Sequence, residues 1–197
     1  MAERRITTSC TDPSSFEGLL DALDKLYVPD GYKPEIIKGN IVVSSWSKGY
    51  YAEVMELICD QLRPHLPEDH RLSTGKFLYV LPGRERAYGP DIHVAHRSTH
   101  RTTSNRLDGE GLCFVAELTS VPTRLDDLTD KVEVYGNAGV PVYLALDMQE
   151  EAASVLWDPY EAGYKSRLTR PFGEKLYIPD PFGCELDTTG FQAPPSD

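Results

Sequence analysis

Leu112-Cys-Phe-Val-Ala-Glu-Leu-Thr119 is an apolar run broken by a single acid, Glu117. It reads as a buried strand. A helical pattern follows from about Asp126 to Ala138, with Gly139 as its natural C-terminal cap and Pro141 just beyond. Val142-Tyr143-Leu144-Ala145-Leu146 is then apolar on both faces, as a buried parallel strand is. Strand 112–119, helix 126–138 and strand 141–147 form a β-α-β unit, expected to cross over right-handed. That unit sets the class as α/β.

Outward from this unit the chain keeps alternating. Ser14 and Glu17 have the spacing of a capping box, and Phe16, Leu19, Leu20, Leu23 and Leu26 follow at helical spacing. Glu35-Ile36-Ile37 and Ile41-Val42-Val43 flank Lys38-Gly39-Asn40 as a hairpin. Met55, Ile58, Cys59, Leu62 and Leu66 form the stripe of a second helix, closed by Pro64 and Pro67. Leu72 to Leu81 reads as one strand, and Gly89-Pro90 opens another from Asp91 to Ala95. Residues 96–111 are polar and read as loop. Hairpin-like pieces follow Asp147, at Ala153–Trp157, Tyr164–Leu168 and Lys175–Ile178. The organisation expected is a tail at 1–13, one domain at 14–190 and a tail at 191–197.

The 197 residues are 40% hydrophobic, enough for a core and too apolar for a disordered chain. No window approaches the roughly 18 apolar residues that span a membrane, and MAERRITTSC lacks the apolar stretch of a secretory signal. Cys10, Cys59, Cys113 and Cys184 lack zinc-ligand spacing, and a cytoplasmic location is the default expectation. No phosphate-binding glycine loop or serine-hydrolase elbow is present. The net charge of −11 opposes nucleic-acid binding, which is driven by Lys and Arg on phosphates. Arg84 to Arg106 runs against that trend, with five arginines, two acids and three histidines. Two readings stand for it: a solvated loop, or a local anion-facing surface.

Three charges fall where charge is costly. Glu117 interrupts an apolar strand and so needs a cation, a metal or a proton. Asp91 begins a mostly apolar strand. Lys131 projects within the apolar arc of Leu128, Val132, Tyr135 and Ala138, so it either snorkels out or meets a buried acid. Two carboxylates could hold a hard divalent cation, and the amine beside them could orient water or stabilise transition-state charge. The plainer reading is a Glu117–Lys131 salt bridge with Asp91 as a strand-starting residue. His93 would share a face with Asp91, but edge or exposed histidines at 93, 96 and 100 are the simpler expectation. Trp46, Tyr50 and Tyr51 read as aromatic packing more readily than as a base-stacking platform.

Pro90-Asp91, Glu117-Leu-Thr-Ser120, Asp127, Lys131, Tyr135, Ala138-Gly-Val-Pro141 and Tyr143-Leu-Ala-Leu-Asp147 together resemble the Uma2 family. These are bacterial proteins of the PD-(D/E)XK restriction-endonuclease-like superfamily. Glu35-Ile-Ile-Lys-Gly-Asn-Ile-Val-Val resembles their opening hairpin, and the likeness runs from about Tyr32 to Asp187. The resemblance implies a restriction-endonuclease-like core, a central mixed β-sheet flanked by helices, with an N-terminal helix and hairpin and a C-terminal β extension. It implies a metal-dependent endonuclease acting on DNA, with Asp91 and Glu117 as ligands of Mg²⁺ or Mn²⁺ and Lys131 as the amine. Thr119 stands where the superfamily more usually has that lysine. Glu35 would sit at the rim, and Arg97, Arg101 and Arg106 would contact DNA.

Two departures accompany the likeness. Ser44 to Tyr51 replaces a Pro-rich stretch with a His, and Val121-Pro122-Thr123 stands where Pro-Ser-Thr is usual. A degenerate relative that binds nucleic acid or protein without cutting therefore stays open, as does an interaction protein that keeps the triad for folding. A homodimer also stays open. On sequence alone Lys131→Met should keep the fold, because methionine matches the stem in length, and should abolish activity.

Overall fold

A computed structural model describes residues 12, 14–45 and 49–192. Cys10 and Trp46 lie outside the described residues; of the other two aromatics read with Trp46, Tyr51 is buried and meets Tyr50 edge-on. The first helix, α1 (Phe16–Lys25), is capped by Ser15, whose hydroxyl accepts from the Gly18 N–H at 3.1 Å. Ser14 is one residue too early to be the cap, and its hydroxyl donates to Asp12 instead. Strands β1 (Tyr32–Ile37) and β2 (Asn40–Ser45) pair antiparallel. Lys38 and Gly39, at φ 49° and 74°, make the tight turn between them. Helix α2 (Gly49–Leu62) follows.

The stretch expected as one strand, Leu72 to Leu81, is two: β3 (His70–Ser73) and β4 (Leu78–Leu81), in different sheets. Between them the Gly75 N–H bonds the Ser73 hydroxyl, and a Cβ at Gly75 would collide with Phe77, so the chain bends there. Next come β5 (Arg86–Tyr88), β6 (Ile92–His96), β7 (Arg106–Asp108) and β8 (Leu112–Leu118). The expected helix 126–138 is also two, α3 (Arg124–Leu128) and α4 (Asp130–Asn137). The break falls at Thr129, whose hydroxyl bonds back to the Leu125 carbonyl at 2.6 Å, a contact that bends helices. Gly139, at φ 77°, lies just past the end of α4, as its capping role requires.

The remaining strands are β9 (Val142–Asp147), β10 (Ala152–Tyr160), β11 (Gly163–Pro171), β12 (Lys175–Ile178) and β13 (Cys184–Asp187). A six-stranded mixed sheet runs β11-β10-β9-β8-β6-β3, with β8 and β9 parallel. A five-stranded sheet runs β2-β1-β5-β4-β7, and β12-β13 is a separate ribbon. All seven residues of β8 are buried because it lies between β9 and β6 and is covered on both faces. One face, with Phe114, Ala116, Leu144 and Leu146, packs on α2 through Val54, Ile58 and Leu62. The other, with Val115, Tyr143 and Ala145, packs on α4 through Val134 and Tyr135 and on Tyr79 and Tyr88 of the second sheet. Alternation places Glu117 on the Val115 face, toward α4. Among the described residues no helix is long and apolar enough to cross a membrane.

Candidate functional site

Six ionisable side chains meet where α3 and α4 cross the end of the central sheet. Strand β1 contributes Lys33 and Glu35, two residues apart and hence on one face. The Gly89-Pro90 turn delivers Asp91, β8 delivers Glu117, α3 delivers Asp127 and α4 delivers Lys131. They line one cavity of about 40 Å³, with Ser44, Tyr51 and Thr123 among the other residues of its wall. Every one of the six is buried.

Lys131 is the hub. Its Nζ lies 2.9 Å from Glu117 Oε1, 2.9 Å from Asp127 Oδ1 and 3.6 Å from Glu35 Oε1. Lys33 is the second ammonium, donating to the Gly89 carbonyl at 2.6 Å and lying 3.6 Å from Asp91 Oδ1. The other Asp91 oxygen accepts the Leu118 N–H at 2.9 Å, which ties Asp91 to the strand that carries Glu117. Glu35 accepts the Gly89 N–H at 2.9 Å. The Tyr135 hydroxyl reaches Glu117 Oε1 at 3.4 Å, and Tyr51 donates to the Thr119 carbonyl at 2.7 Å.

Among the described residues, four carboxylates therefore share two ammonium groups. Burial pushes Glu117 up to about 8, with Asp127 and Asp91 adding to the shift and Lys131 and Lys33 opposing it. Burial acts the same way on Glu35, but Lys131, Lys33 and the Gly89 N–H outweigh it and hold that carboxyl below its usual range. Burial lowers Lys131, yet Asp127, Glu117 and Glu35 outweigh it and raise the amine well above 10.5. Lys33 is raised likewise, against burial, by Glu35, Asp91 and Glu117.

A pH dependence follows. The Glu117 contribution to stability is complete below its ordinary value of 4.5 and is lost as pH rises through about 8. His93, pushed down to about 3 by burial, gives the opposite slope, gaining stability as pH rises through 6.5. The lysines act only above 10.5 and Glu35 only below 4.5. Between about pH 7 and 8, in chelator, stability should fall by ~1 kcal/mol, close to one proton's worth. Urea titrations of wild type and Glu117→Gln check this: the variant should be flat over that interval, and an equal slope in both would clear Glu117 of the effect.

Asp91, Glu117, Lys131 and Glu35 thus come together, with Glu35 in the wall and in contact with the lysine. Asp127 and Lys33 had no role assigned from sequence. Asp127 had a readable signal, since an acid four residues before a lysine shares its helical face. Lys33 had a weaker one, alternation with Glu35. His93 does not line the cavity. It is fully buried against Phe77, Tyr79 and His100, with neither ring nitrogen hydrogen-bonded.

The arginine segment divides. Arg84 pairs with Glu133, Arg86 with Asp130 and Arg106 with Asp24. Only Arg97 and Arg101 of the five are exposed. They follow the far end of β6 from Asp91, ~17 Å away at 3.3 Å per residue. Of the two readings of this segment, an anion-facing surface is left with Arg97 and Arg101, since the other three arginines are in ion pairs within the chain.

Oxygen donors of this kind suit a hard divalent cation. The buried Ser44 hydroxyl, without a hydrogen-bond partner among the described residues, adds an open polar atom to the same wall. Among the described residues, however, no three His, Cys, Asp or Glu side chains converge closely enough to hold a metal as they stand. The lysine ammoniums stand among the acids instead. The donor chemistry fits, and the spacing asks a lysine to yield.

Comparison with known proteins gives a consistent picture. A family model named Uma2 and described as "Putative restriction endonuclease" matches residues 20–189. No curated protein matches. Among solved structures, one from Anabaena variabilis ATCC 29413, described as "a putative nuclease belonging to DUF820", is similar with a TM-score of 0.61. The two are 16% identical, and the likeness covers 83% of this chain and 90% of that one. At that identity the likeness is one of fold.

Proposed function

Because the chain belongs to the Uma2 family, we propose that it is a metal-dependent nuclease that hydrolyses phosphodiester bonds of DNA at the cavity around Lys131. The observation that supports this most is the placement of Lys131 Nζ 2.9 Å from both Glu117 and Asp127 in an enclosed site shared with Asp91. Asp91 and Glu117 would hold the cation, Mg²⁺ or Mn²⁺. A divalent cation supplies Lewis acidity toward a phosphate oxygen and acidifies water.

The chain's own residues do the rest. Lys131 offers an ammonium to the charge that develops on phosphate and can orient the attacking water. Asp127 and Glu35 keep that ammonium protonated and fixed when Glu117 turns to another partner. Tyr135 holds the Glu117 carboxylate from α4, and the Leu118 N–H holds Asp91 from β8. Burial keeps bulk water out, so each charge acts at low local dielectric.

A second reading, a non-cleaving nucleic-acid- or protein-binding module, is favoured by the net charge of −11 and by the three internally paired arginines. A plasmid assay separates the two. Wild type should convert supercoiled plasmid to the relaxed form with Mg²⁺ or Mn²⁺, and Asp91→Asn should not. Calorimetry should show cation affinity reduced at least about tenfold in Asp91→Asn. Binding of plasmid without nicking under any divalent ion would favour the second reading. Nicking that survives Asp91→Asn would place the chemistry elsewhere.

A further inference from the structure

We propose that Lys33 is the resident counter-cation of Asp91, and that a divalent cation enters the site by displacing its ammonium into the neighbouring cleft. This rests on the reading above that Asp91 and Glu117 take the cation. The two Asp91 oxygens have different neighbours: one accepts the Leu118 N–H, while the other faces Lys33 Nζ at 3.6 Å. The outward coordination position of Asp91 is thus the one beside the ammonium. With both lysines in place the cavity keeps about 40 Å³ of free space beside Asp91. A cation seated there would stand beside the ammonium, and two positive charges ~4–5 Å apart repel strongly in a buried site.

Lys33 has somewhere to go. It also lines a second cleft of about 450 Å³, bounded by Val28 to Pro34, Lys76 and Asn105. Gly89, whose carbonyl accepts from Lys33, lines that same cleft. The amine can therefore keep its carbonyl partner or gain solvent as it leaves Asp91. Lys131 differs, because it retains Asp127 and Glu35 if Glu117 is withdrawn. Lys33 is thus a positioning residue, setting the threshold for cation loading and neutralising Asp91 until loading occurs.

Calorimetric titration with MnCl₂ on wild type, Lys33→Gln, Lys33→Arg and Asp91→Asn tests this. Lys33→Gln keeps an N–H for the Gly89 carbonyl and removes the charge, so it should bind Mn²⁺ at least about tenfold more tightly. Lys33→Arg keeps the charge and should stay near wild type. Equal or weaker affinity in Lys33→Gln overturns the proposal. If wild type binds and Asp91→Asn does not, the cation reading survives that failure. Absence of Mn²⁺ binding in both wild type and Lys33→Gln overturns both. Amine labelling of the wild-type protein, followed by mass spectrometry, reads displacement directly. Lys33 should be protected in chelator and labelled once Mn²⁺ saturates the site, and unchanged protection at saturation overturns the displacement.

Discussion

Lys131→Met should cost about 3–5 kcal/mol of stability in chelator, the range for removing one partner of a buried ion pair, and should reduce plasmid nicking to background. Sequence alone pointed to an intact fold, since methionine fits an apolar stripe. The geometry changes that expectation. Lys131 is the shared cation of Glu117, Asp127 and Glu35, all buried. Methionine fills the volume and leaves those carboxylates facing one another, with Lys33 as the remaining ammonium of the cavity among the described residues. The site must then take up protons or open to water. Urea denaturation read by far-ultraviolet circular dichroism measures the loss. Lys131→Met with Glu35→Gln should recover part of it, since the carboxyl that Lys131 holds below its usual range then no longer has to be buried as a charge, and a double-mutant cycle would give the coupling. An unchanged urea midpoint for Lys131→Met would mean that the three acids are already protonated or solvated, and the hub would have no energetic content.

The same residues mark what the sequence could and could not tell. Glu117 and Lys131 were legible because each breaks a periodicity: a carboxylate in a strand buried on both faces, an amine on an apolar arc. The β8-helix-β9 unit was legible for the same reason, its core positions being continuous in the chain. Asp127 drew no role despite its spacing to Lys131, because an acid near a helix start also has an ordinary explanation in the helix dipole. Lys33 was hidden because β1 is short and its inward face is defined only once β5 and the Gly89 turn lie beside it. The pairing of three of the arginines was not legible because their partners, Asp24, Asp130 and Glu133, are distant in sequence, so part of the local excess of positive charge is offset only on folding. The breaks at Gly75 and Thr129 depend on single side-chain-to-backbone hydrogen bonds, which leave hydrophobic periodicity untouched.

Gly136→Ala should destabilise the protein by at least about 3 kcal/mol, although alanine is normally the better helix former by ~1 kcal/mol. Gly136 lies in α4, five residues after Lys131, and faces the tip of the β10–β11 hairpin. A Cβ there would overlap the carbonyl oxygen, carbonyl carbon and Cα of Gly163. Those are backbone atoms, so no rotamer change relieves the clash. Gly163 itself sits at φ 121°, a conformation that L side chains rarely adopt, which fixes the turn. The two segments are also clamped on either side. Asn137 donates to the Glu161 carbonyl at 3.2 Å, and the Tyr164 hydroxyl donates to the Val140 carbonyl at 2.9 Å. Relief therefore means moving α4 away from the hairpin, and α4 carries Lys131 and Tyr135. Thermal unfolding should show the loss of stability, and calorimetry with MnCl₂ should show altered cation affinity even though residue 136 touches none of the six charged groups. A variant as stable as wild type, or more so, would show that helix and hairpin are less closely seated. The precision of the Lys131 hub would then have to come from α3 and β8 alone.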